Sequence, residues 1–230
     1  MFAEFIISKN PSNLGKCAML STVVSSKLLG KMAETRGFVH EATLTGFKHL
    51  GNLAWDLEHN GGGIRTLFAF EEAIGFMVGT TVLEKDGISA LLLALCLLHS
   101  LRTGDSLQGY LDAVHAKYGH YRQHNSYFKC PPGLHSPDVF KFVRRQLEND
   151  GLRTKLGIKS VKDYAPSSMI TMELERQLTI TLRTSGTEPK IKYYAESSAM
   201  ETDSALISLV DEVLAEVMKP EMFKLVKRFN

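Results

Sequence analysis

The sequence predicts an α/β fold followed by a smaller α+β unit, and three observations support this prediction. Strand-like and helix-like segments alternate over roughly the first hundred residues, an order typical of α/β layers. A turn-forming run, RTGDS at residues 102–106, then interrupts the alternation. Two strand-like segments between residues 178 and 196 precede a long helical pattern. We therefore expect two domains, covering residues 1–105 and 106–230.

The first domain opens with a strand. The run from Cys17 to Val24 is apolar and rich in β-branched residues, as expected of a buried strand. Helical stretches follow as SSKLLGKMAETRG, ended by Gly37, and as FKHLGNLAWDLEHN, ended by a run of glycines. A second strand is predicted at Thr66–Phe70, and a long helix starts near Ile88. This order of strands and helices is the basis for the α/β prediction.

The second domain begins with a predicted connecting helix, LQGYLDAVHAKYG. A further helix follows as SPDVFKFVRRQLEND, in which Ser136 is the expected N-cap and Pro137 the first helical residue. After the two strands, the last helix carries an apolar stripe at helical spacing. The stripe comprises Leu206, Leu209, Val210, Val213, Leu214 and Val217.

Composition excludes several classes of protein. The 27 Lys and Arg residues nearly balance 25 Asp and Glu residues, so the chain lacks the strong positive field of a nucleic-acid-binding protein. The three cysteines, Cys17, Cys96 and Cys130, are odd in number and widely spaced, which argues against a disulfide framework or a CxxC zinc site. A reducing, cytoplasmic setting fits best.

No segment predicts a leader peptide or a membrane span. The start, MFAEFIISKNPSN, lacks a basic leader and carries Glu4 within its apolar stretch. The longest apolar run, Ile88–Leu98, is shorter than the roughly 20 residues that a membrane span needs. We expect this run to be a buried helix.

The segment RTSGTEPK, residues 183–190, concentrates anion-binding groups between two strand-like pieces. Alternation on both sides predicts a loop that joins two strands. The side-chain donors are Arg183, Ser185, Thr187 and Lys190. Arg183 offers a planar fork and Lys190 a point charge, while Gly186 would let the backbone turn its N–H groups toward an anion. The spacing alone leaves two interpretations open: a phosphate socket, or an ordinary turn with solvated cations.

The extended motif RTSGTEPKIKYYAE resembles the phosphate-binding loop in the last domain of the alpha-D-phosphohexomutase superfamily. It is close to the form found in the phosphopentomutase and phosphoglucomutase-2-like branch. The resemblance implies that residues of this loop hold the substrate phosphate that is not transferred. These residues are Arg183, Thr184, Ser185, Gly186, Thr187 and Lys190.

Two adjacent carboxylates, Glu71 and Glu72, follow the second predicted strand, where open α/β sheets place ligand-binding groups. A carboxylate can accept hydrogen bonds from two hydroxyls, which suits a sugar; the alternative is a pair of exposed acids at a strand end. The superfamily has a sugar-recognition loop here, with a Glu and a Ser two residues later. This chain matches at Glu71 but has Ala73 in place of the serine, which puts one hydroxyl contact in doubt.

Two further motifs are similar to the family in the same order. LTGFKHLGN resembles a loop that lines the cleft, which implies that Thr45, Gly46 and Lys48 lie near the sugar. EKDGISA resembles the entry into the long helix and places Lys85 beside a helix N-terminus, a position that favours anions. Taken alone, Lys48 and Lys85 are more typical of solvated surface lysines.

Two motifs that the superfamily uses for chemistry are absent. Family members carry a nucleophilic serine in a Thr-Ala-Ser-His-Asn-Pro type loop and bind Mg²⁺ through an Asp-Gly-Asp-x-Asp-Arg type loop. SKNPS, residues 8–12, mimics part of the serine loop with Lys9 in place of His, but its position matches a helix-to-strand loop. The Asp of KDG cannot hold Mg²⁺ alone. We therefore expect neither a catalytic nor a metal-binding residue in this chain.

The resemblance implies the third and fourth domains of a four-domain sugar-phosphate mutase, with the third domain beginning inside its first helix. Its sheet would be mixed, with helices on both faces. The implied enzyme acts on hexose or pentose phosphates through a phosphoserine and a bisphosphate intermediate, with Mg²⁺ and a sugar bisphosphate activator bound with help from the missing N-terminal domains. Nucleic acid and membrane partners are not implied. Alternatives are a non-catalytic sugar-phosphate-binding fragment and a glucose bisphosphate synthase.

Overall fold

The computed structural model describes residues 1–10 and 12–228. The chain divides into two compact units, the first comprising Met1–His120 and the second beginning at Tyr121. Each unit has its own sheet. Within the described residues, no helix is both long enough and apolar enough to cross a membrane.

The first unit is built around a four-stranded mixed sheet of order β2-β1-β3-β4. In β1, all six residues are buried, because the sheet is covered on both faces. Strand β1 runs parallel to β2 and β3, and β4 runs antiparallel to β3. The elements are α1 Phe2–Lys9, β1 Cys17–Thr22, α2 Leu28–Arg36, β2 Val39–Thr43, α3 Phe47–His59, β3 Arg65–Glu71, β4 Gly75–Val78, α4 Gly87–Ser100 and α5 Leu107–Tyr118.

Alternate strand residues enter two separate cores. Met19 and Phe68 pack with α1, α2 and α5 on one face, whereas Leu20 and Ala69 pack with α3 on the other. Since successive strand residues point to opposite faces, strands that are buried along their whole length, such as β1, require this double cover. The predicted mixed sheet with helices on both faces is confirmed.

Helix α4 was predicted to be a buried helix, but it is buried on one side only. Ala90 and Leu97 are buried, but Ile88, Leu91 and Leu95 are more than half exposed. Because nearly all residues of the run Ile88–Leu98 are apolar, no polar face marks the exposed side of the helix. Composition alone could therefore not show that only one side packs on the unit.

Helix α5, assigned from sequence to the second domain, packs within the first unit. Val114 and Tyr118 join its core. The carboxylate of Glu4 accepts a 2.6 Å hydrogen bond from the Tyr118 hydroxyl and lies 2.8 Å from Lys117 Nζ. The chain therefore divides after His120 in the structure rather than before this helix.

The second unit contains an antiparallel six-stranded sheet of order β10-β5-β9-β8-β7-β6. Helix α6 begins one residue earlier than expected, with His135 rather than Ser136 in the N-cap position. The elements are β5 Arg122–Lys129, α6 Ser136–Leu147, α7 Asp150–Lys155, β6 Ile158–Asp163, β7 Met169–Leu174, β8 Leu178–Thr184, β9 Lys190–Ser197, α8 Asp203–Met218 and β10 Val226–Lys227.

One face of this sheet packs against helices. Ile180, Leu182 and Tyr193 share a core with the apolar stripe of α8, as the helical spacing predicted. Residues at alternate positions, among them Arg183 and Lys192, point to the opposite face, because strand side chains alternate.

Candidate functional site

The carboxyl ends of β1, β2 and β3 meet at one edge of the first sheet. These strands are parallel, and the register pairs Thr22 with Thr43 and Ser21 with Phe70. The loops that follow them therefore begin at the same edge, where open α/β sheets bind ligands. Two of these loops carry predicted site residues: Thr45, Gly46 and Lys48 after β2, and Glu71, Glu72 and Ala73 at the end of β3.

Glu71 and Lys85 form an ion pair at this edge. Lys85 Nζ lies 3.2 Å from Glu71 Oε1, and the side chains are 52% and 12% exposed, respectively. The backbone N–H of Asp86 donates to the Phe76 carbonyl at 2.9 Å, which holds the lysine segment beside β4. The Glu71 carboxylate is thus fixed in orientation by a cation whose own head group reaches solvent.

Gly75 permits this close approach. A Cβ atom at Gly75 would lie 2.5 Å from Lys85 Cδ and 3.0 Å from Glu71 Cγ, well inside van der Waals contact. Glycine within a strand often marks such a close approach. The Lys85–Glu71 pair therefore depends on the absence of a side chain at position 75.

The loop after β2 leads directly into α3. Gly46 is the N-cap residue with φ of 114°, a backbone conformation that favours glycine. Its carbonyl accepts a hydrogen bond from the His49 N–H at 3.0 Å. Lys48 is exposed in the first turn and Thr45 is half-buried. The positive end of the α3 dipole and Lys48 make this corner favourable for anions.

Sequence reasoning missed the loop after β1, residues 23–27. Ser25 is buried and its hydroxyl is 2.8 Å from that of Thr22, while Lys27 Nζ donates to the Val23 carbonyl at 2.7 Å. The signal was the SSK run between a buried strand and a helix, at the position where parallel strands place ligand loops.

In the second unit, the segment 183–190 forms the predicted connection between two strands. Strand β8 ends at Thr184 and β9 begins at Lys190. The Ser185 N–H donates to the Lys190 carbonyl at 2.9 Å, and the Pro189 carbonyl accepts from the Cys130 N–H at 2.8 Å. The loop is therefore anchored at both ends by backbone hydrogen bonds.

Gly186 is required neither by the local backbone conformation nor by lack of space. Its φ lies outside the left-handed region, and a Cβ atom there would meet nothing within 4 Å. Gly186 and Thr187 are both exposed. The turn itself does not require glycine at this position.

Arg183 and Lys190 are each held by neighbours in the second unit. Arg183 Nε donates to Tyr194 Oη at 3.3 Å. Lys190 Nζ lies 2.7 Å from Glu188 Oε1 and 4.4 Å from the centroid of the Tyr127 ring. The hydrogen bond with Glu188 raises the pKa of Lys190, and the same bond lowers the pKa of Glu188. Both groups are therefore charged at neutral pH.

The sheet register adds a cation that sequence reasoning missed. Lys192 is paired with Arg183 on one side and with Tyr127 on the other. Cross-strand partners share a face of the sheet, so Arg183, Lys192 and Tyr127 form one row beside the loop. Period-2 spacing from Lys190 could have identified Lys192 as a residue on the same face.

The segments that mimic catalytic motifs have structural roles. Ser8 lies in α1 and its hydroxyl donates to the Phe5 carbonyl at 2.7 Å; Pro11, also part of SKNPS, lies outside the described residues. Asp86 caps α4 by accepting hydrogen bonds from the Ile88 N–H at 2.9 Å and the Ser89 hydroxyl at 2.6 Å, which lowers its pKa. Across residues 1–10 and 12–228, no three His, Cys, Asp or Glu side chains converge as metal ligands.

The fold is that of the third and fourth domains of phosphohexomutases. Over 97% of its length, the chain is similar to the Paramecium exocytosis-sensitive phosphoprotein pp63/parafusin, a phosphoglucomutase, in its open form. The TM-score is 0.73 at 19% sequence identity, and the match covers 41% of that chain. Residues 1–118 match the family model described as phosphoglucomutase/phosphomannomutase, alpha/beta/alpha domain III. The chain belongs to this family.

Two relatives show how much of a family member the chain represents. Glucose 1,6-bisphosphate synthase of Homo sapiens is 37% identical in an alignment of 243 residues that includes gaps. This alignment covers 91% of this chain and 38% of the synthase. Phosphopentomutase of Mus musculus is 38% identical over 218 residues, which cover 84% of this chain and 34% of the mutase. The chain spans less than two fifths of the length of either relative.

Proposed function

We propose that this chain supplies the sugar- and phosphate-binding part of a sugar-phosphate mutase of the phosphoglucomutase or phosphopentomutase type. Such an enzyme moves a phosphoryl group between two positions of a hexose or pentose, through a phosphoserine and a bisphosphate intermediate. The observation that carries the proposal is the row of Arg183 and Lys192 beside the hydroxyl-bearing loop 185–189. Two adjacent cations match the charge of a phosphate dianion.

In this proposal the second unit holds the phosphate that stays in place. Arg183 donates two parallel hydrogen bonds, and the loop adds the hydroxyls of Ser185 and Thr187 with the backbone of Thr184 and Gly186. Lys190 is paired with Glu188 in the structure, so an incoming phosphate replaces that carboxylate as its partner. The exchange costs little, because Glu188 is half exposed and such pairs are weak.

The first unit recognises the sugar. Glu71, oriented by Lys85, accepts hydrogen bonds from sugar hydroxyls, and its charge makes these bonds stronger than those between neutral groups. Glu72, Thr45, Gly46 and Lys48 share the edge and form the remaining wall. Ala73 has no hydroxyl, so at this position the chain makes no side-chain hydrogen bond to the sugar.

The described residues do not fit a magnesium site. Mg²⁺ requires several oxygen ligands in octahedral order, whereas no acidic cluster is present in residues 1–10 and 12–228 and Asp86 serves as a helix cap. We therefore assign the Mg²⁺ site, the nucleophilic serine and part of the bisphosphate activator's binding site to other domains of the enzyme. We also propose the cytoplasm as its compartment.

We expect this chain alone to bind sugar phosphate without turning it over. A coupled assay with glucose 1-phosphate, ribose 1-phosphate, Mg²⁺ and a catalytic amount of sugar bisphosphate measures this directly. Turnover above background by the purified 230-residue chain would contradict the assignment of the chemistry to other domains.

A bisphosphate synthase is the second candidate. It rests on the nearly equal identity of the chain to the synthase and the mutase, 37% and 38%. We propose the same sugar and phosphate contacts for both activities.

Substitution of Arg183 tests the phosphate socket. Arg183→Ala removes a charged, bidentate donor, and we expect affinity for glucose 1-phosphate and for inorganic phosphate to fall by about 10- to 100-fold. Isothermal titration calorimetry measures both ligands. Arg145→Ala, an exposed arginine on α6, is the matched control and should leave both affinities unchanged. Absence of phosphate binding by the parent chain, or equal affinity in Arg183→Ala, would refute the proposal.

A further inference from the structure

The turn between β3 and β4 contains a side chain that the turn does not explain. Ile74 has φ of 60°, a region that β-branched residues rarely adopt, and it is 82% exposed. Glycine or asparagine adopts this conformation with less strain and would not place an apolar group in water. Both features of Ile74 are unfavourable for folding, which indicates a contact outside the turn.

Backbone contacts fix Ile74 beside the backbone of Glu71, the proposed sugar-binding residue. Its N–H donates to the Glu71 carbonyl at 3.2 Å, and Glu71 is the cross-strand partner of Gly75. The Glu71 side chain is in turn held by Lys85. A flexible loop could move an exposed side chain away, but this turn has only three residues between Glu71 in β3 and Gly75 in β4.

The chemistry of a cyclic sugar suits this pair of side chains. A sugar ring carries hydroxyls around its edge and C–H groups on its faces, so its recognition requires hydrogen bonds at the edge and apolar contact at a face. Glu71 provides the first and Ile74 the second, from neighbouring positions in one turn.

We propose that Ile74 is a specificity-determining residue that packs on a C–H face of the sugar whose hydroxyls bind Glu71. This inference rests on the proposed function and adds a substrate class to it. The site selects cyclic sugar phosphates over acyclic phosphates of similar charge, because an acyclic polyol has no rigid C–H face to cover Ile74.

Replacement of Ile74 by asparagine separates binding from stability. Ile74→Asn keeps a residue that tolerates positive φ and removes the apolar contact. By calorimetry, we expect affinity for glucose 1-phosphate to fall by about 5- to 20-fold, in the lower range for loss of an apolar contact. Affinity for inorganic phosphate and for glycerol 3-phosphate should stay the same, and the melting temperature should be unchanged or higher by about 2–4 °C.

Two further variants control the experiment. Ile74→Leu keeps an apolar side chain and should retain the affinity for glucose 1-phosphate within about twofold. Leu91→Asn changes another exposed apolar residue of the first unit, on α4, and should leave all three affinities unchanged.

Three results would overturn the inference. These are equal affinity of Ile74→Asn and the parent chain for glucose 1-phosphate, an equal loss for inorganic phosphate, and a lower melting temperature that accompanies the loss. If Arg183→Ala abolishes phosphate binding while Ile74→Asn has no effect, only this inference fails. If Arg183→Ala has no effect, the proposed function itself fails.

Discussion

Each unit has candidate site residues in a Lys–Glu ion pair, but the two pairs have opposite exposure. In the first unit, Glu71 at the end of β3 is 12% exposed, and its partner Lys85, which lies between β4 and α4, is 52% exposed. In the β8–β9 loop, Lys190 is 18% exposed and its partner Glu188 is 50% exposed. In the first pair the carboxylate is shielded and the lysine is exposed, whereas in the second pair the lysine is shielded and the carboxylate is exposed.

The difference between the two ion pairs follows from the separation of the partners along the sequence. Glu71 and Lys85 are separated by a strand and a loop, so the sheet must form before they meet. Glu188 and Lys190 lie two residues apart in one loop, and the pair can open without disturbing a strand. A fixed acceptor suits sugar hydroxyls, while a lysine with an exchangeable partner suits an arriving anion.

Removal of the two carboxylates should have opposite effects on binding. Glu71→Ala deletes an oriented, charged acceptor, so we expect affinity for glucose 1-phosphate to fall by about 10- to 100-fold. Glu188→Ala deletes the carboxylate that competes for Lys190, and affinity for inorganic phosphate should rise by about two- to fivefold, the range for an exposed ion pair. Calorimetry on the full chain measures both.

The control for this comparison is to measure the Glu71→Ala variant with inorganic phosphate, the ligand used for Glu188→Ala. Glu71→Ala should bind inorganic phosphate as the parent chain does, because it leaves the second unit intact. Weaker phosphate binding in Glu188→Ala would show that the carboxylate positions Lys190 rather than competes for it, and would remove the distinction between the loops.

The sequence was sufficient to predict elements with a strong apolar run or a strong periodic pattern. Strand β1 begins with a run of apolar residues, and α8 repeats its apolar residues at helical spacing, so both were predicted near their observed bounds. Strand β2, VHEAT, was missed because it lies at the sheet edge and is mostly polar. Strand β4 was missed because it has four residues and gives too short a pattern.

The missing strands limited what could be predicted about the site. Positions of single residues followed from motifs, but the contact of Lys85 with Glu71 depends on the hairpin of β3 and β4. The row of Arg183, Lys192 and Tyr127 depends on the register of three strands, which no local pattern encodes. Local spacing therefore identified the loops, and only the sheet showed which side chains face each other.

The smallest expected effect concerns Gly75, at the start of β4, and Gly186, in the β8–β9 loop, and it tests whether rigidity distinguishes the two regions. Gly75→Ala places a Cβ atom 2.5 Å from Lys85 Cδ. The lysine stem can shift, so we expect a loss of about 1 kcal/mol in the free energy of unfolding, at the low end for overpacking, together with loss of the Lys85–Glu71 pair. Gly186→Ala meets no atom within 4 Å and should change stability by less than about 0.5 kcal/mol.

Urea denaturation, followed by circular dichroism, measures the unfolding free energies of both variants. If Gly75→Ala is as stable as the parent chain and still binds glucose 1-phosphate, the first loop does not depend on the close approach at Gly75. If Gly186→Ala is the less stable variant, the second loop is the more constrained of the two. Either result would reverse the contrast between the turn proposed to bind the sugar and the loop proposed to bind phosphate, since that contrast requires tight packing at Gly75 and open space at Gly186.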